Sequence, residues 1–155
     1  MTKVKDIILH LESLAPLALQ EDYDNAGLIT GNREEIVKGV LICLDSTEAV
    51  MDEAIQKECN MVIAHHPIIF RGLKKIIGRN YIERAIIKSI KNDIAIYAIH
   101  TNLDNIKQGV NHQLCEILGL HNIRILKPLT GKQLKLITFI PKENTLQVLD
   151  ALHQA

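Results

Sequence analysis

Short apolar runs alternate with helix-like segments through the middle of this chain. In the helix-like segments apolar residues recur every three or four positions, whereas the runs between them are almost continuously apolar. Such runs are typical of strands buried on both faces of a parallel sheet. In chain order the predicted elements are strand Val40–Leu44, helix Thr47–Glu58, strand Met61–Ala64, helix Tyr81–Lys91, strand Ile94–Ile99 and helix Val110–Leu118. This order predicts an α/β fold with a mostly parallel sheet and helices on both faces.

The same spacing predicts which side of each helix faces the sheet. For the two helices between the strands, the predicted inward residues are Ala49, Val50, Ala54 and Ile55, then Ile82, Ala85, Ile86 and Ile90. An N-terminal helix is predicted from the apolar stripe Val4, Ile7, Ile8, Leu11 and Leu14. Thr2 is the expected N-cap of that helix, and Pro16 marks its end. The Asp-, Asn- and Gly-rich segment 22–32 that follows is predicted to be a loop.

The pattern changes after Pro128. Gln133 to Ile140 alternates polar and apolar residues like a strand, and Glu143 to Ala155 has helical spacing. The apolar positions of that last helix are Leu146, Val148, Leu149 and Leu152. One strand and one helix seldom bury their apolar faces alone. Either this pair docks on the main sheet, or it begins a further module.

Composition excludes several broad classes of protein. Eighteen basic residues balance eighteen acidic ones, and this balance lacks the basic footprint of a nucleic-acid binder. Charged residues near the N-terminus argue against a signal peptide, and no apolar stretch is long enough to span a bilayer. The three cysteines lack metal-finger or redox spacing, and Cys43 is expected to be a buried, reduced thiol. A reducing cytoplasm is therefore the expected location.

Histidines stand where two of the apolar runs stop. His65 and His66 follow the run that begins at Met61, and His100 follows the next run, with Asp104 just beyond. In open α/β sheets ligands bind at the carboxyl ends of the strands. Imidazole nitrogen and carboxylate oxygen are ligands of zinc, iron and manganese. The sequence therefore predicts a metal centre, in which His65 and His66 either serve two ions or share the roles of ligand and substrate contact.

Other polar residues near these runs have simpler interpretations. Asp45, with Glu48 three residues later, matches a helix N-cap pattern, which we favour over a role in the site. Asp24 and Asn25 are expected to hold backbone amides in a turn. Three basic residues after the His pair are predicted to be a solvated face, with attraction of a phosphate-bearing substrate as the alternative; they are Arg71, Lys74 and Lys75. The remaining histidines are expected at the surface or at caps: His10, His112, His121 and His153.

Two common catalytic motifs are absent from the chain. It contains neither a Gly-x-Ser-x-Gly elbow nor a phosphate loop ending in Gly-Lys-Ser/Thr. No cysteine lies in a context that activates a thiol.

Several motifs together resemble one known family. They are Tyr23-Asp24-Asn25-Ala26-Gly27-Leu28, Ala64-His65-His66-Pro67-Ile68-Ile69-Phe70, His100-Thr101-Asn102-Leu103-Asp104 and Gly109-Val110-Asn111, in this order. Their combination is similar to that of the NIF-three-like family, whose bacterial members are often named GTP cyclohydrolase I type-two homologues. The similarity extends from the first helix to about Leu120.

The resemblance implies more than the residues do by themselves. It implies an α/β fold, a centre of two divalent metal ions and a ring-shaped homohexamer. His65, His66 and Asp104 correspond to metal ligands, and His100 to a histidine beside the centre that either binds the metal or contacts the ligands from just outside them. Members of the family carry a further His and Glu near their C-terminus, which this chain lacks. We therefore expect residues 1–130 to be an α/β metal-binding domain and 131–155 the start of an inserted domain, in the N-terminal part of a longer protein.

Two functions are consistent with these expectations. In the first, the chain is a metal-dependent hydrolase in which the ions activate water and His100 orients it or moves a proton. Its substrate is expected to be a nucleotide or another phosphorylated or cyclic small molecule. In the second, the ring is a metal-stabilised binding or regulatory scaffold without catalysis. The identity of the metal, whether zinc, iron or manganese, stays open.

Overall fold

The computed structural model describes residues 1–124 and 141–154. Its helices and strands are, in chain order, α1 Val4–Leu14, β1 Gly27–Thr30, β2 Val40–Asp45, α2 Glu48–Gln56, β3 Met61–His66, α3 Tyr81–Lys91, β4 Ala95–Ala98, α4 Thr101–Asp104, α5 Val110–Ile117 and α6 Thr145–Gln154. Single 3-10 turns lie at Leu17–Leu19 and Lys142–Asn144. The alternation of strands and helices from β2 to α5 confirms the predicted α/β class.

The four strands form one sheet in the order β1-β4-β3-β2. Strands β2, β3 and β4 are parallel, with Ile42 beside Ile63 and Ile63 beside Tyr97. β3 lies in the interior of the sheet, and its first four residues are buried. The predicted mostly parallel sheet is confirmed, and its parallel strands all point their carboxyl ends to the same edge.

The segment 22–32, which was predicted to be a loop, contains strand β1. It pairs antiparallel with β4, and Leu28 lies opposite Tyr97. Gly27 and Gly31 bracket the strand with φ angles of 113° and 112°, which side chains with a Cβ rarely adopt. A Cβ on Gly31 would also stand 2.6 Å from Ala95. The strand is too short and too glycine-rich to stand out in a propensity pattern.

Helices cover both faces of the sheet, as predicted. On one face Val4 and Ile8 of α1 pack against Met61 and Ile63 of β3. On the other, the buried residues of α2 and α3 pack against the alternate strand residues; this second core comprises Met51, Ala54, Val62, Ile68, Ala85, Ile86, Ile94 and Ile96. These two cores hold β3 and β4 in place and thereby fix the edge where the histidines lie.

Strand β2 lies at an edge of the sheet and is only partly covered. Ile42 and Leu44 are 78% and 60% exposed. Cys43 points to the opposite face and is half-buried rather than buried as predicted, and this burial raises the pKa of its thiol. The first helix therefore covers only part of the face to which Ile42 belongs.

Several helix ends and faces differ from the predictions. α1 begins after Lys3, whose backbone N–H donates to the Asp6 carboxylate, so Thr2 is not its cap. Ile55 and Ile90, predicted to face inward, are 40% and 55% exposed because the sheet contacts only the neighbouring stripe of each helix. The bounds of α3 match the prediction, and α5 is followed by Gly119 with a φ of 66°.

The C-terminal helix is confirmed in its main part, as α6. The predicted strand Gln133–Ile140 and the predicted domain boundary after residue 130 lie outside the described residues. Within residues 1–124 and 141–154, no helix combines the length and apolar character needed to cross a membrane.

Candidate metal centre

The parallel pairing of β3 and β4 brings the three strand-end histidines together. Ala64 lies beside Ala98, so the residues that follow them leave the sheet at the same edge. His65 and His66 are the last two residues of β3, and His100 immediately precedes α4. The predicted site residues therefore come from adjacent strands and do not depend on a flexible loop for their proximity.

The imidazoles of His65, His66 and His100 form one cluster. One ligand atom from each of them lies within 4.8 Å of the others. The ring centroids are 4.9 Å apart for His65 and His66, and 5.3 Å and 5.5 Å from these two to His100. His65 and His66 thus belong to a single site, although they are consecutive residues of a strand.

The Nδ1 atom of each of these imidazoles is hydrogen-bonded to an oxygen atom. His65 Nδ1 lies 2.9 Å from the backbone carbonyl oxygen of Ile99. His66 Nδ1 lies 2.8 Å from Asp45 Oδ1, and His100 Nδ1 lies 2.8 Å from Asp24 Oδ1. A carbonyl or carboxylate oxygen only accepts hydrogen bonds, so Nδ1 is the protonated nitrogen of all three rings. Nε2 is left with a free lone pair in each neutral ring.

This donor set fits a divalent transition metal. Metal-binding histidines usually donate their other ring N–H to a carboxylate or a backbone carbonyl, which fixes the tautomer and the ring orientation. All three imidazoles satisfy that condition, with Asp24, Asp45 and Ile99 as the acceptors. Zinc, iron and manganese all accept imidazole nitrogen.

Asp104 lies at the margin of the cluster. Its Oδ1 atom is 3.9 Å from His65 Nε2, too far for a hydrogen bond. The two atoms are close enough to bind a common ion between them. The backbone carbonyl of Asp104 also accepts a hydrogen bond from Asn111, which ties α4 to α5.

Asp24 contacts the cluster, although the sequence predicted only a turn for it. Its carboxylate is fully buried against His100 and also accepts hydrogen bonds from the backbone N–H and the hydroxyl of Thr101. Burial alone would raise the pKa of Asp24, but the hydrogen bonds from His100 and Thr101 outweigh it and the pKa is lowered. Asp24 therefore stays ionised, which favours the Nδ1–H form of His100.

Asp45 is not the N-cap of α2 that the sequence predicted. The N-cap of α2 is Thr47, whose side chain accepts from the backbone N–H of Val50. β2 extends through Asp45, and the parallel register places this residue beside His66. Its carboxylate therefore turns to the imidazole and does not reach the start of the helix.

An aromatic side chain lies beside the cluster. The ring of Phe70 lies edge-on to that of His100, with centroids 6.4 Å apart, and also contacts Tyr23. Asn25 Nδ2 donates to the backbone carbonyl of Ile69 at 2.6 Å and so anchors the loop that carries Phe70. The Asn25 side chain thus links two loops, whereas the sequence predicted only a local turn for it.

The other candidate charged residues and histidines lie outside the cluster wherever the structure describes their side chains. Arg71, Lys74 and Lys75 are exposed, in agreement with the predicted solvated face. His112 pairs with Glu116 on α5, while His10 and His121 are exposed. The side chain of His153 lies outside the described residues.

Known proteins share this sequence pattern and fold. The model of the family described as Duf34/NIF3 (NGG1p interacting factor 3) matches residues 2–154. The GTP cyclohydrolase 1 type 2 homolog of Clostridium acetobutylicum is 47% identical over 124 residues, which cover 80% of this chain and 46% of that protein. The homolog of the same name from Bacillus subtilis is 43% identical over 152 residues, or 97% of this chain and 41% of that protein. The chain thus spans less than half the length of these curated relatives.

Solved structures agree with the sequence relatives. A Bacillus cereus protein related to NIF3 superimposes with a TM-score of 0.78 at 48% identity, covering 83% of this chain and 35% of that one. Reduced HcgD from Methanocaldococcus jannaschii gives a TM-score of 0.74 at 33% identity, covering 84% of this chain and 51% of that one. The resemblance seen in the motifs is confirmed: the chain belongs to the Duf34/NIF3 family.

Proposed function

We propose that His65, His66 and His100 hold a divalent metal ion in a metal-dependent hydrolase. The observation that supports this most is the set of Nδ1 hydrogen bonds, which leaves Nε2 of each ring free as a ligand atom. Three protein ligands are the usual number at a catalytic zinc, where a further position stays open for water or substrate. All three side chains are partly accessible to solvent, so substrate has access to them.

The chain's own residues have distinct roles in this proposal. A bound divalent cation supplies Lewis acidity and lowers the pKa of a water molecule toward neutrality. Asp24 and Asp45 keep His100 and His66 in the ligand tautomer. Asp104 places a carboxylate at the edge of the cluster, where it is available as a further ligand. Phe70 places an aromatic ring beside His100.

A centre of two ions is part of the proposal for the longer protein. His65, His66, His100 and Asp104 offer too few ligands to satisfy two ions, since one catalytic zinc alone takes three. The additional ligands would come from the region that the longer relatives have beyond the part matched here. We propose the same division for the chain itself: residues 1–130 form the metal-binding domain, and 131–155 begin an inserted domain.

The name shared by the curated relatives makes a nucleotide or another phosphorylated or cyclic small molecule the proposed substrate class. The test loads the purified chain with zinc, manganese or iron(II) and assays nucleotides, cyclic nucleotides and phosphoesters. His66→Ala should lose both bound metal and turnover. His112→Ala is the matched control, because His112 lies outside the cluster on α5, and it should keep both.

The alternative role of the centre is structural, as in a metal-stabilised homohexameric scaffold. Size-exclusion chromatography with light scattering, done with and without chelator, separates the two. Loss of turnover in His66→Ala at unchanged assembly size supports the hydrolase. Absence of turnover on every substrate, together with dissociation when metal is removed, supports the scaffold and contradicts the hydrolase.

His100→Ala tests the proposed role of His100 as a ligand against the alternative that it only moves a proton. If His100 is a ligand, the variant loses metal affinity along with turnover. If His100 only moves a proton, the variant keeps its metal and loses turnover, and the pH dependence of the rate changes.

A further inference from the structure

Asp24 reaches the metal centre from an irregular segment. Residues 15–24 lie between α1 and β1, and the regular structure that they contain is the 3-10 turn Leu17–Leu19. Where a ladder of backbone hydrogen bonds is missing, side chains have to satisfy the backbone groups of such a segment. The contacts that fix this segment therefore decide whether the Asp24 carboxylate meets His100.

The side chain of Asn102 joins His100 to the start of this segment. Asn102 is fully buried. Its Oδ1 atom accepts a hydrogen bond from the backbone N–H of His100 at 2.9 Å, and its Nδ2 atom donates to the backbone carbonyl of Ala15 at 2.7 Å. An amide offers both the acceptor and the donor that this bridge needs. One side chain therefore connects the backbone that carries the imidazole to the segment that carries the carboxylate.

Asn105, three residues after Asn102, holds the middle of the segment. Its Nδ2 atom donates to the backbone carbonyl of Leu19 at 2.9 Å and lies 3.2 Å from Glu21 Oε1. Between the two asparagines, the hydroxyl of Thr101 accepts a hydrogen bond from the backbone N–H of Glu21 at 2.9 Å. These contacts are spaced along the whole segment, so α4 and the residue that follows it hold the segment at several points.

We propose that Asn102 and Asn105 are positioning residues of the metal centre. Their amides bond backbone groups rather than an imidazole, and they hold segment 15–24 where Asp24 meets His100. This inference rests on the proposed function, because Asp24 affects a bound ion through the tautomer of His100. A change at either asparagine should therefore weaken metal binding although no ligand atom is altered.

Asn60 provides a matched control for Asn102. It too is a buried asparagine whose amide bridges a backbone N–H and a backbone carbonyl, those of Lys38 and Ile36, at 2.8 Å each. It precedes β3, whereas the histidines lie at the other end of that strand. Asn102→Ala and Asn60→Ala should both lower the stability to urea, since each leaves a backbone N–H and a carbonyl without their side-chain partner.

The zinc affinity should separate the two variants. In a competition titration with a chromophoric chelator, Asn102→Ala should bind zinc about tenfold more weakly, the lower end of the range for groups that orient metal-binding histidines. Asn60→Ala should bind zinc like the parent chain. Asn105→Ala should also weaken zinc binding, and its partly buried position makes it the substitute if Asn102→Ala does not fold. Equal losses of zinc affinity in the Asn102 and Asn60 variants, or no loss at Asn102 and Asn105, overturn the inference.

NMR of the metal-free chain, with isotope-labelled histidine, keeps the two proposals separate. The Nδ1–H proton of His100, identified by its loss in His100→Ala, should exchange slowly with water in the parent chain and in Asn60→Ala, because Asp24 accepts its hydrogen bond. It should exchange faster in Asn102→Ala and Asn105→Ala. Unchanged exchange in these two variants overturns the positioning role even where zinc binds. Faster exchange in them, with no zinc bound by the parent chain, supports the positioning role and contradicts the proposed metal site.

Discussion

The carboxylate of Asp24 holds the imidazole of His100 at a distance of 2.8 Å between Oδ1 and Nδ1, although 76 residues separate the two in sequence. The loop before β1 supplies the carboxylate, and the carboxyl end of β4 supplies the imidazole. β1 and β4 are neighbours in the sheet, so this contact is a direct result of the strand order. An otherwise irregular loop is in this way connected to the candidate metal centre.

Asp24→Asn should weaken zinc binding about 10- to 100-fold, the range observed when the partner of a metal-binding histidine is changed. The amide keeps the size of the side chain but loses the negative charge that favours the Nδ1–H form of His100. A competition titration with a chromophoric chelator measures this affinity, and circular dichroism checks the fold. The control is Asp93→Asn, an exposed position with a φ of 52° that asparagine tolerates. Zinc affinity equal to that of the parent chain would contradict the role assigned to Asp24.

Asp45→Asn should have a smaller effect than Asp24→Asn, about tenfold or less in zinc affinity. Asp45 and His66 are 57% and 46% exposed, so solvent already competes for their hydrogen bond. The ratio of the two affinity losses, taken from the same competition titration, is the quantity that matters. A larger loss for Asp45→Asn than for Asp24→Asn would show that burial does not set the importance of these carboxylates.

Tyr97 makes the fold sensitive to alkaline pH. Burial raises the pKa of its phenol to about 12, and the neighbouring Glu12 carboxylate adds to this effect. The folded state therefore keeps its proton where the unfolded chain, with a pKa of about 10, releases it. Stability is unaffected by this group below about pH 10, and about 2 to 3 kcal/mol is lost as the pH rises to about 12.

Tyr97→Phe should abolish that alkaline loss and leave stability at pH 7 unchanged or raised. The hydroxyl is buried and makes no hydrogen bond of normal geometry within the described residues, and the nearby Glu12 carboxylate is partly exposed, so removal of the hydroxyl leaves no fully buried partner unpaired. Urea unfolding of both proteins at pH 7 and pH 11 measures the difference. Equal loss of stability between these pH values in both proteins would mean that another group is responsible.

The proximity of the three histidines was predictable because it depends on strong signals. The apolar runs at β3 and β4 are clear, and parallel neighbours in a sheet end at the same edge. His65, His66 and His100 could therefore be placed together from the sequence alone. The resemblance to the NIF-three-like family pointed to the same residues, and the match to the Duf34/NIF3 model confirms the family itself.

The carboxylates that accept hydrogen bonds from these histidines, Asp24 and Asp45, were harder to predict from the sequence. Asp24 lies in a segment without periodicity, and its partner lies far along the chain. Asp45 and Glu48 match a helix N-cap pattern, but Asp45 is also the last residue of β2, and the sequence alone favoured the cap. Extending β2 by one residue would have placed Asp45 beside His66, since parallel register sets that pairing. With Asp45 in the strand, the N-cap of α2 is Thr47.

The central claim is that Nε2 of His65, His66 and His100 binds one divalent ion. X-ray absorption spectroscopy of the zinc-loaded chain tests it directly, because imidazole nitrogens give a shell at about 2.0 Å and a recognisable outer-shell pattern. We predict three imidazoles around each zinc ion and two after His100→Ala. A spectrum with a single imidazole, or one that is the same before and after His100→Ala, would contradict the account.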